Sequence, residues 1–306
     1  MVLRVAVVGV GRWGRNHVRV LKELEKEGLV QLVALCDTDL SRARSVANEF
    51  SVPYVVQDLS ELYSLRIDAA VVATPIDTLT PVSLKLIEKG ISVLVEKPVA
   101  TCVAEIRKLI EAERKHNVVV MPGFIMRFNP VVRKAKEIVK SMESEILYAV
   151  FRRLSRRPQH ARKYSILLDL AVHDIDLCRY IMSTSNLELV SSSRTFLVED
   201  EVVVAFLRSD NRYCLIHVDG LSLSKVREIE LIGRNTFVRC NTDDLTITIR
   251  RFDGSYTIER LVGEEPLKLE DRSFIQAVSG YRVDIPTLED ALAVMEVIES
   301  IARRSS

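Results

Sequence analysis

Along the first 122 residues, short apolar runs alternate with stretches of helical period. LRVAVVG (3–9), LVALCD (32–37), AAVVATP (69–75), SVLVEKP (92–98) and VVVMPG (118–123) read as strands. Helical patterns fall between them at 15–27, 40–50, 78–89 and 102–116. Strands that are apolar throughout, rather than alternating, are strands buried on both faces. With helices between them, they predict a parallel sheet built from βαβ crossovers.

The texture changes after Gly123. A helix is predicted over 130–140 and another from Asp169 to 182. Strand patterns then follow closely at 187–197, 201–208, 212–222, 226–233, 236–241 and 244–251, with turn signals such as Asp210-Asn211 between them. Consecutive strands joined by short turns imply a mostly antiparallel sheet. Two helices close the chain, at 271–279 and 287–303, and the amphipathic last one is expected to pack back on the first domain. The expected fold class is therefore α/β in two domains. Residues 1–122 form the first, with the helix 287–304 returning to it, and residues 123–286 form a second with an open, mostly antiparallel sheet.

Composition narrows the function classes. The 306 residues are 48% apolar and 28% charged, an ordinary globular balance. The net charge of +1 gives no global field for nucleic acid or an anionic membrane. The five cysteines are scattered with no CxxC pair, which predicts buried, reduced thiols rather than a disulfide framework or a zinc site. The opening apolar run is too short for a signal peptide or a membrane span, and the expected location is the cytoplasm.

Chemistry enters at Gly9-Val10-Gly11-Arg12-Trp13-Gly14. This GxGxxG spacing closes a strand and opens a helix, the context a dinucleotide site requires. The first glycine allows the tight turn, the second lets a pyrophosphate approach the backbone, and the third lets helix and strand pack closely. The helix N-terminus offers its N–H groups to the phosphates; the bland alternative is a plain strand–helix turn. Asp37 ends the second predicted strand, where a carboxylate accepts both ribose hydroxyls of NAD and repels a 2′-phosphate. NAD is thus the expected cofactor. NADP stays open because Arg42 and Arg44 lie nearby, and Asp37 also reads as a helix cap. Thr74-Pro75 closes the run 69–75 and is either a dinucleotide contact or a turn.

Glu96-Lys97-Pro98 follows another predicted strand and would project from the same carboxyl edge. Lys97 near a cationic nicotinamide should lose proton affinity; alone, it reads as a surface lysine. In Asp169-Leu-Ala-Val-His173-Asp174-Ile-Asp176, helical spacing puts Asp169 and His173 on one face. A carboxylate beside an imidazole fixes its tautomer and suits it to act as a base. The alternative is an acid-rich helix start with His173 in the core. Asp174 and Asp176 read as helix-dipole or surface acids. No HExxH or third helical ligand supports a metal there.

Together, GVGRWGRNH (9–17), EKP (96–98) and DLAVHDID (169–176) resemble the glucose–fructose oxidoreductase / inositol dehydrogenase / MocA family over nearly the whole chain. The resemblance implies a Rossmann domain, a second α/β domain with an open sheet, and an active site in the cleft between them. It makes Lys97 the lysine that positions the substrate hydroxyl, His173 the catalytic base, and Asp169 its companion acid. It also implies homodimers or homotetramers joined through the open sheet face. Gly123-Phe-Ile-Met-Arg127-Phe128-Asn129-Pro130 is similar to the GHxxRFNP stretch of UDP-N-acetylglucosamine 3-dehydrogenases, with Phe124 and Met126 departing from it.

Read from the residues alone, Asn129-Pro130 is also a good helix start, and Arg127 either pairs with a buried acid or reaches substrate. FRRLSRRPQHARK (151–163) holds six cationic residues and no acid. It reads as a loop in which Arg153 and Arg157 clamp a diphosphate, or as a solvated or oligomer-contact loop. The expected activity is oxidation of a secondary hydroxyl on a sugar, foremost a nucleotide sugar such as UDP-N-acetylglucosamine. A free monosaccharide or inositol is the alternative substrate, and a dinucleotide-binding sensor without turnover is the alternative of another class.

Overall fold

The computed structural model describes residues 2–142, 145–184, 186–197 and 199–304. They fold into two units. One runs to Phe124 and takes in Leu267–Leu292; the other comprises Ile125–Pro266 and the chain from Ala293 onward.

The first unit alternates β1 (Leu3–Val8), α1 (Arg12–Lys26), β2 (Val30–Cys36), α2 (Leu40–Phe50), β3 (Tyr54–Val56), α3 (Leu59–Tyr63), β4 (Ala69–Val72), α4 (Ile76–Ile87), β5 (Ser92–Glu96), α5 (Val103–His116) and β6 (Val120–Gly123). Its six strands are parallel, in the order β3-β2-β1-β4-β5-β6. That order reverses direction between β1 and β4, and ligands of such sheets bind at the carboxyl ends beside the reversal. Val5 to Val8, Ala69 to Val72 and Val93 to Val95 are buried, as their unbroken apolar runs require. Asp39 caps α2, and Asp58 with Glu61 forms a capping box on α3. The short β3 and α3 lay below the reach of periodicity.

The second unit begins with α6 (Pro130–Ser141) and β7 (Ile146–Leu154). It continues through α7 (Val172–Met182), β8 (Glu188–Phe196), β9 (Glu201–Ser209), β10 (Arg212–Asp219), β11 (Val226–Gly233), β12 (Thr236–Asn241), β13 (Thr246–Arg251) and β14 (Tyr256–Arg260). The eight strands run in the order β14-β13-β12-β11-β7-β10-β9-β8, antiparallel except where β7 pairs with β10. Helices α6 and α7 pack together and against this sheet. Ala149, Phe151, Val203, Ala205, Cys214, Ile216 and Leu231 are fully buried, and the intervening residues of their strands stay partly or fully exposed. This is the alternation of a sheet covered on one side. Two further helices, α8 (Pro266–Val278) and α9 (Leu288–Arg304), complete the chain, and the division between the units falls within α9.

Two expectations are corrected here. The stretch read as a loop from 151 begins inside β7, a central strand that carries arginine on its buried face. The cysteines are not all reduced: Cys178 of α7 and Cys214 of β10 form a disulfide, while Cys36, Cys102 and Cys240 are free. Residues 36 apart in sequence were brought together by packing a helix on a strand, which spacing alone does not reveal. Among the described residues, no helix is long and apolar enough to cross a membrane.

Candidate active site

In the first unit the glycine turn is dictated by space. Gly9 has φ of +85°, and a Cβ there would lie 2.6 Å from the Ala73 carbonyl oxygen. A Cβ on Gly14 would collide with the Gly9 carbonyl oxygen. The turn therefore lies directly on the chain that leaves β4, as close packing of strand and helix demands. Gly11 differs, because a Cβ added there would meet no protein atom. That open space leaves room for a pyrophosphate to approach the backbone. Gly11 is also the N-cap of α1, with no side-chain cap and no acid in the first turn. The first N–H groups of this helix are left for an anion, in contrast to the Asp-capped α2 and α3.

Asp37, one residue past β2, faces this turn. Its carboxylate accepts from the backbone N–H of Val10 (2.8 Å) and Asp39 (2.9 Å) and from the guanidinium of Arg42. Burial works to raise its proton affinity, but these donors outweigh it and hold the carboxyl below its ordinary range. Arg42 is half exposed, so it can swing aside while the two backbone N–H groups keep the carboxylate in place. Thr74 lies just beyond β4; its buried hydroxyl has no hydrogen-bond partner among the described residues. Pro75 follows it at the exposed start of α4. Arg12 and Trp13 are exposed at the mouth of the turn.

Glu96 is the last residue of β5 and is buried. Its Oε2 accepts from the backbone N–H of Lys97 (3.0 Å), and its Oε1 accepts from Trp13 Nε1. Lys97 is half buried, and the Lys97–Pro98 peptide is cis. Sequence reasoning missed a cluster behind this turn. His17 of α1 is fully buried, with Nδ1 2.8 Å from Asp271 of α8 and Nε2 3.1 Å from Glu96. Burial alone would lower the proton affinity of His17, but Asp271 and Glu96 reverse this and hold it well above the ordinary imidazole range. Glu270 beside it is fully buried and is held well up, first by burial and then by the charge of Glu96. His17 falls at the end of GVGRWGRNH, but its partners Glu96 and Asp271 are far away in sequence and leave no local signal. Among the described residues, the donors that could gather on a metal are those of His17, Glu270 and Asp271, within 4.8 Å of one another. Both nitrogens of His17 are already engaged by carboxylates, so we assign the group as a hydrogen-bonded ion cluster.

In the second unit, Asp169 and His173 do not share one regular helix. Asp169 lies in a π-helical turn, Leu167–Ala171, which passes into α7, where His173 sits in the first turn. Such wide turns are frequent at functional sites. Both residues are partly exposed. Asp174 and Asp176 correct the surface reading, because both are buried ion-pair partners. Arg127 forks onto Asp176 through Nε (3.0 Å) and Nη2 (2.5 Å). Arg153 reaches Asp174 at 2.6 Å. Burial still raises the proton affinity of Asp174 beyond what Arg153 takes away.

Arg157 is buried on Asp200, with Asp169 3.5 Å from its Nη1. Asn129 caps α6 through Val131 N–H and donates to the Thr242 carbonyl oxygen. The remaining arginines of 151–163 also meet acids: Arg152 meets Glu228 and Glu230, while Arg156 and Arg162 meet Glu199. A segment without acids in sequence is therefore charge-matched in space. The diphosphate clamp expected of Arg153 and Arg157 is corrected to two buried ion pairs.

A glycine turn shaped for pyrophosphate, at the reversal of a 3-2-1-4-5-6 sheet, defines the first unit as a dinucleotide-binding Rossmann fold. Residues 3–124 match the model of GFO_IDH_MocA, the oxidoreductase family with an NAD-binding Rossmann fold. An inositol 2-dehydrogenase of Saccharopolyspora erythraea is 30% identical over 243 residues, 78% of this chain and 68% of that protein. The chain belongs to this oxidoreductase family. The myo-inositol 2-dehydrogenase of Thermotoga maritima is 28% identical over 65% of this chain and 60% of its own length. For an uncharacterized oxidoreductase of Bacillus subtilis the match spans only 54% of that relative. The fold as a whole is similar to that of UDP-N-acetylglucosamine 3-dehydrogenase from Acidithiobacillus ferrooxidans. The TM-score is 0.88 at 19% identity, covering 100% of this chain and 98% of the other.

Proposed function

We propose that the chain is an NAD-dependent dehydrogenase that oxidises a secondary hydroxyl of a cyclic polyol or free sugar. The observation that carries this reading is the 30% identity with an inositol 2-dehydrogenase over most of the chain. Bound NAD supplies the hydride acceptor. Lys97 holds the substrate oxygen with its ammonium group. His173 takes the hydroxyl proton on its imidazole as the carbinol C–H bond breaks with its electron pair, leaving a ketone. Asp169 orients the imidazole or binds a neighbouring hydroxyl. Base assistance of this kind is worth about 10²- to 10⁴-fold in rate.

A nucleotide sugar such as UDP-N-acetylglucosamine is the second reading, favoured by the Arg127-Phe128-Asn129-Pro130 stretch. It ranks lower because Arg127, Arg153 and Arg157 are engaged with Asp176, Asp174 and Asp200, and Asn129 caps α6. We also infer a homodimer or homotetramer joined through the exposed side of the eight-stranded sheet, where Phe206 and Tyr213 stack at 5.1 Å.

The test is to incubate the protein with NAD and, separately, myo-inositol, free monosaccharides and UDP-N-acetylglucosamine, following NADH absorbance. Turnover of a polyol or free sugar, reduced about 10²- to 10⁴-fold by His173→Ala or Lys97→Ala, is expected. Turnover of the nucleotide sugar alone would move the assignment to the second reading. NAD binding without any turnover would leave a sensor.

A further inference from the structure

The cluster behind the Glu96-Lys97 turn contains a fully buried histidine that the proposed chemistry does not use. The Glu96 carboxylate is the junction of three elements. One oxygen accepts from Trp13 of the glycine turn and from His17 of α1, and the other accepts from the backbone N–H of Lys97. Gly123 of β6 leaves the room, since a Cβ there would lie 3.1 Å from Glu96 Cα and 3.3 Å from its carboxyl carbon. On its far side, His17 is anchored to Asp271 of α8.

Each ring nitrogen of His17 thus faces a carboxylate oxygen. A neutral imidazole has one N–H and one lone pair, so one of those contacts would set lone pair against lone pair. Only the imidazolium donates at both ends. The groups facing it are Asp271 and Glu270 from α8 and Glu96 from β5, all acidic. Glu270 is buried with neither carboxylate oxygen hydrogen-bonded among the described residues, and its proton affinity is raised first by burial and then by the charge of Glu96.

We propose that His17 is a positioning residue: as a buried imidazolium strung between Asp271 and Glu96, it sets the Glu96 carboxylate that fixes the Lys97 backbone and the Trp13 indole. The proposal rests on the assignment of Lys97 to the substrate oxygen. It gives the helix that opens on the dinucleotide phosphates a second task, to hold the catalytic lysine's segment in register.

Trp13 is the only tryptophan in the chain, and its ring meets that of His17 edge-on at 6.4 Å. A neighbouring imidazolium quenches indole emission, so Trp13 fluorescence reports the charge on His17 without any turnover. In the full-length protein the emission is expected to rise through one titration above pH 6.5, absent in His17→Gln. In Asp271→Asn, which keeps the shape and removes one facing charge, the midpoint moves down. Under turnover, His17→Gln should lower kcat about a hundredfold with the KM for NAD held within about threefold, as expected for a small misplacement of a reacting group. The double variant with Lys97→Ala should be no worse than Lys97→Ala alone.

An emission titration unchanged in His17→Gln, or kcat losses that multiply in the double variant, would overturn the proposal. If the wild-type protein turns over no polyol or sugar while the titration is present and shifts in Asp271→Asn, the dehydrogenase reading fails and the imidazolium clamp stands.

Discussion

Arg42 lies across the Asp37 carboxylate, with Nη2 2.7 Å from Oδ1 and Nε 3.2 Å from Oδ2. The same carboxylate is pinned from behind by the N–H groups of Val10 and Asp39. A ribose that binds Asp37 takes over the places Arg42 occupies, while a 2′-phosphate is repelled by Asp37 and attracted by Arg42. The Asp37→Ser variant is expected to weaken NAD binding about tenfold or more, the scale of a hydrogen bond to a charged group. It should strengthen NADP binding by a comparable factor, as read by fluorescence titration with each dinucleotide. A preference for NAD left unchanged would remove Asp37 from the ribose.

Stability should fall as the solution becomes alkaline. His17 and Glu270 are both held above their ordinary values in the folded chain, so the folded state keeps protons that the unfolded state releases. Unfolding free energy then declines with rising pH. The stabilisation from His17 is complete below 6.5 and is lost as pH climbs through its folded value. The Glu270 effect has the same sign and begins above 4.5. Urea unfolding between about pH 6 and about pH 9 should show this decline, and Glu270→Met should flatten it and stabilise the protein at the alkaline end. A flat profile in the wild-type protein would contradict the assignment.

The disulfide between Cys178 and Cys214 closes a loop of 36 residues and ties α7 to β10. In the chain-entropy picture, such a closure is worth about 4 kcal/mol. Thiol titration of the denatured, unreduced protein should find the three free cysteines, and prior reduction should raise the number to five. The urea midpoint should drop in reductant. Five thiols without reductant would show the bond to be missing.

Arg127 and Asp176 are both buried, and so each depends on the other. Removing one charge, as Arg127→Ala or Asp176→Ala, should cost about 3–5 kcal/mol. Replacing both, as Arg127→Met with Asp176→Leu, should cost much less than the two single losses together. Chemical denaturation of the three variants decides it; single variants as stable as wild type would mean that the pair is open to water.

An oligomer through the exposed sheet side predicts that charge placed there dissociates it. Val204→Glu, on β9, is expected to reduce the mass measured by light scattering without lowering the monomer's helical content. A wild-type protein that already runs as a monomer would remove this proposal.

The first unit was legible because its information is local. Continuous apolar runs fix a parallel sheet, and Gly9 and Gly14 stand where a side chain would collide with neighbouring backbone. The second unit hid its decisive contacts. Nothing near Arg153 in sequence is acidic, yet Asp174 arrives from a helix beyond the next turn and allows a guanidinium inside the sheet. An arginine-rich strand therefore read as a loop. His17 was invisible for the same reason: its partners Glu96 and Asp271 are 79 and 254 residues away. The capping role of Asn129 was readable because a helix start is written in neighbouring residues.

The place of β7 also governs how the second sheet can be assembled. It is the first strand made, yet it lies between β10 and β11, which come much later in the chain. Its edges stay unsatisfied until both arrive, so this sheet cannot zip up hairpin by hairpin from its beginning. Large loops must close before the centre of this sheet exists, and until β10 docks the edges of β7 stay open to pairing with other chains.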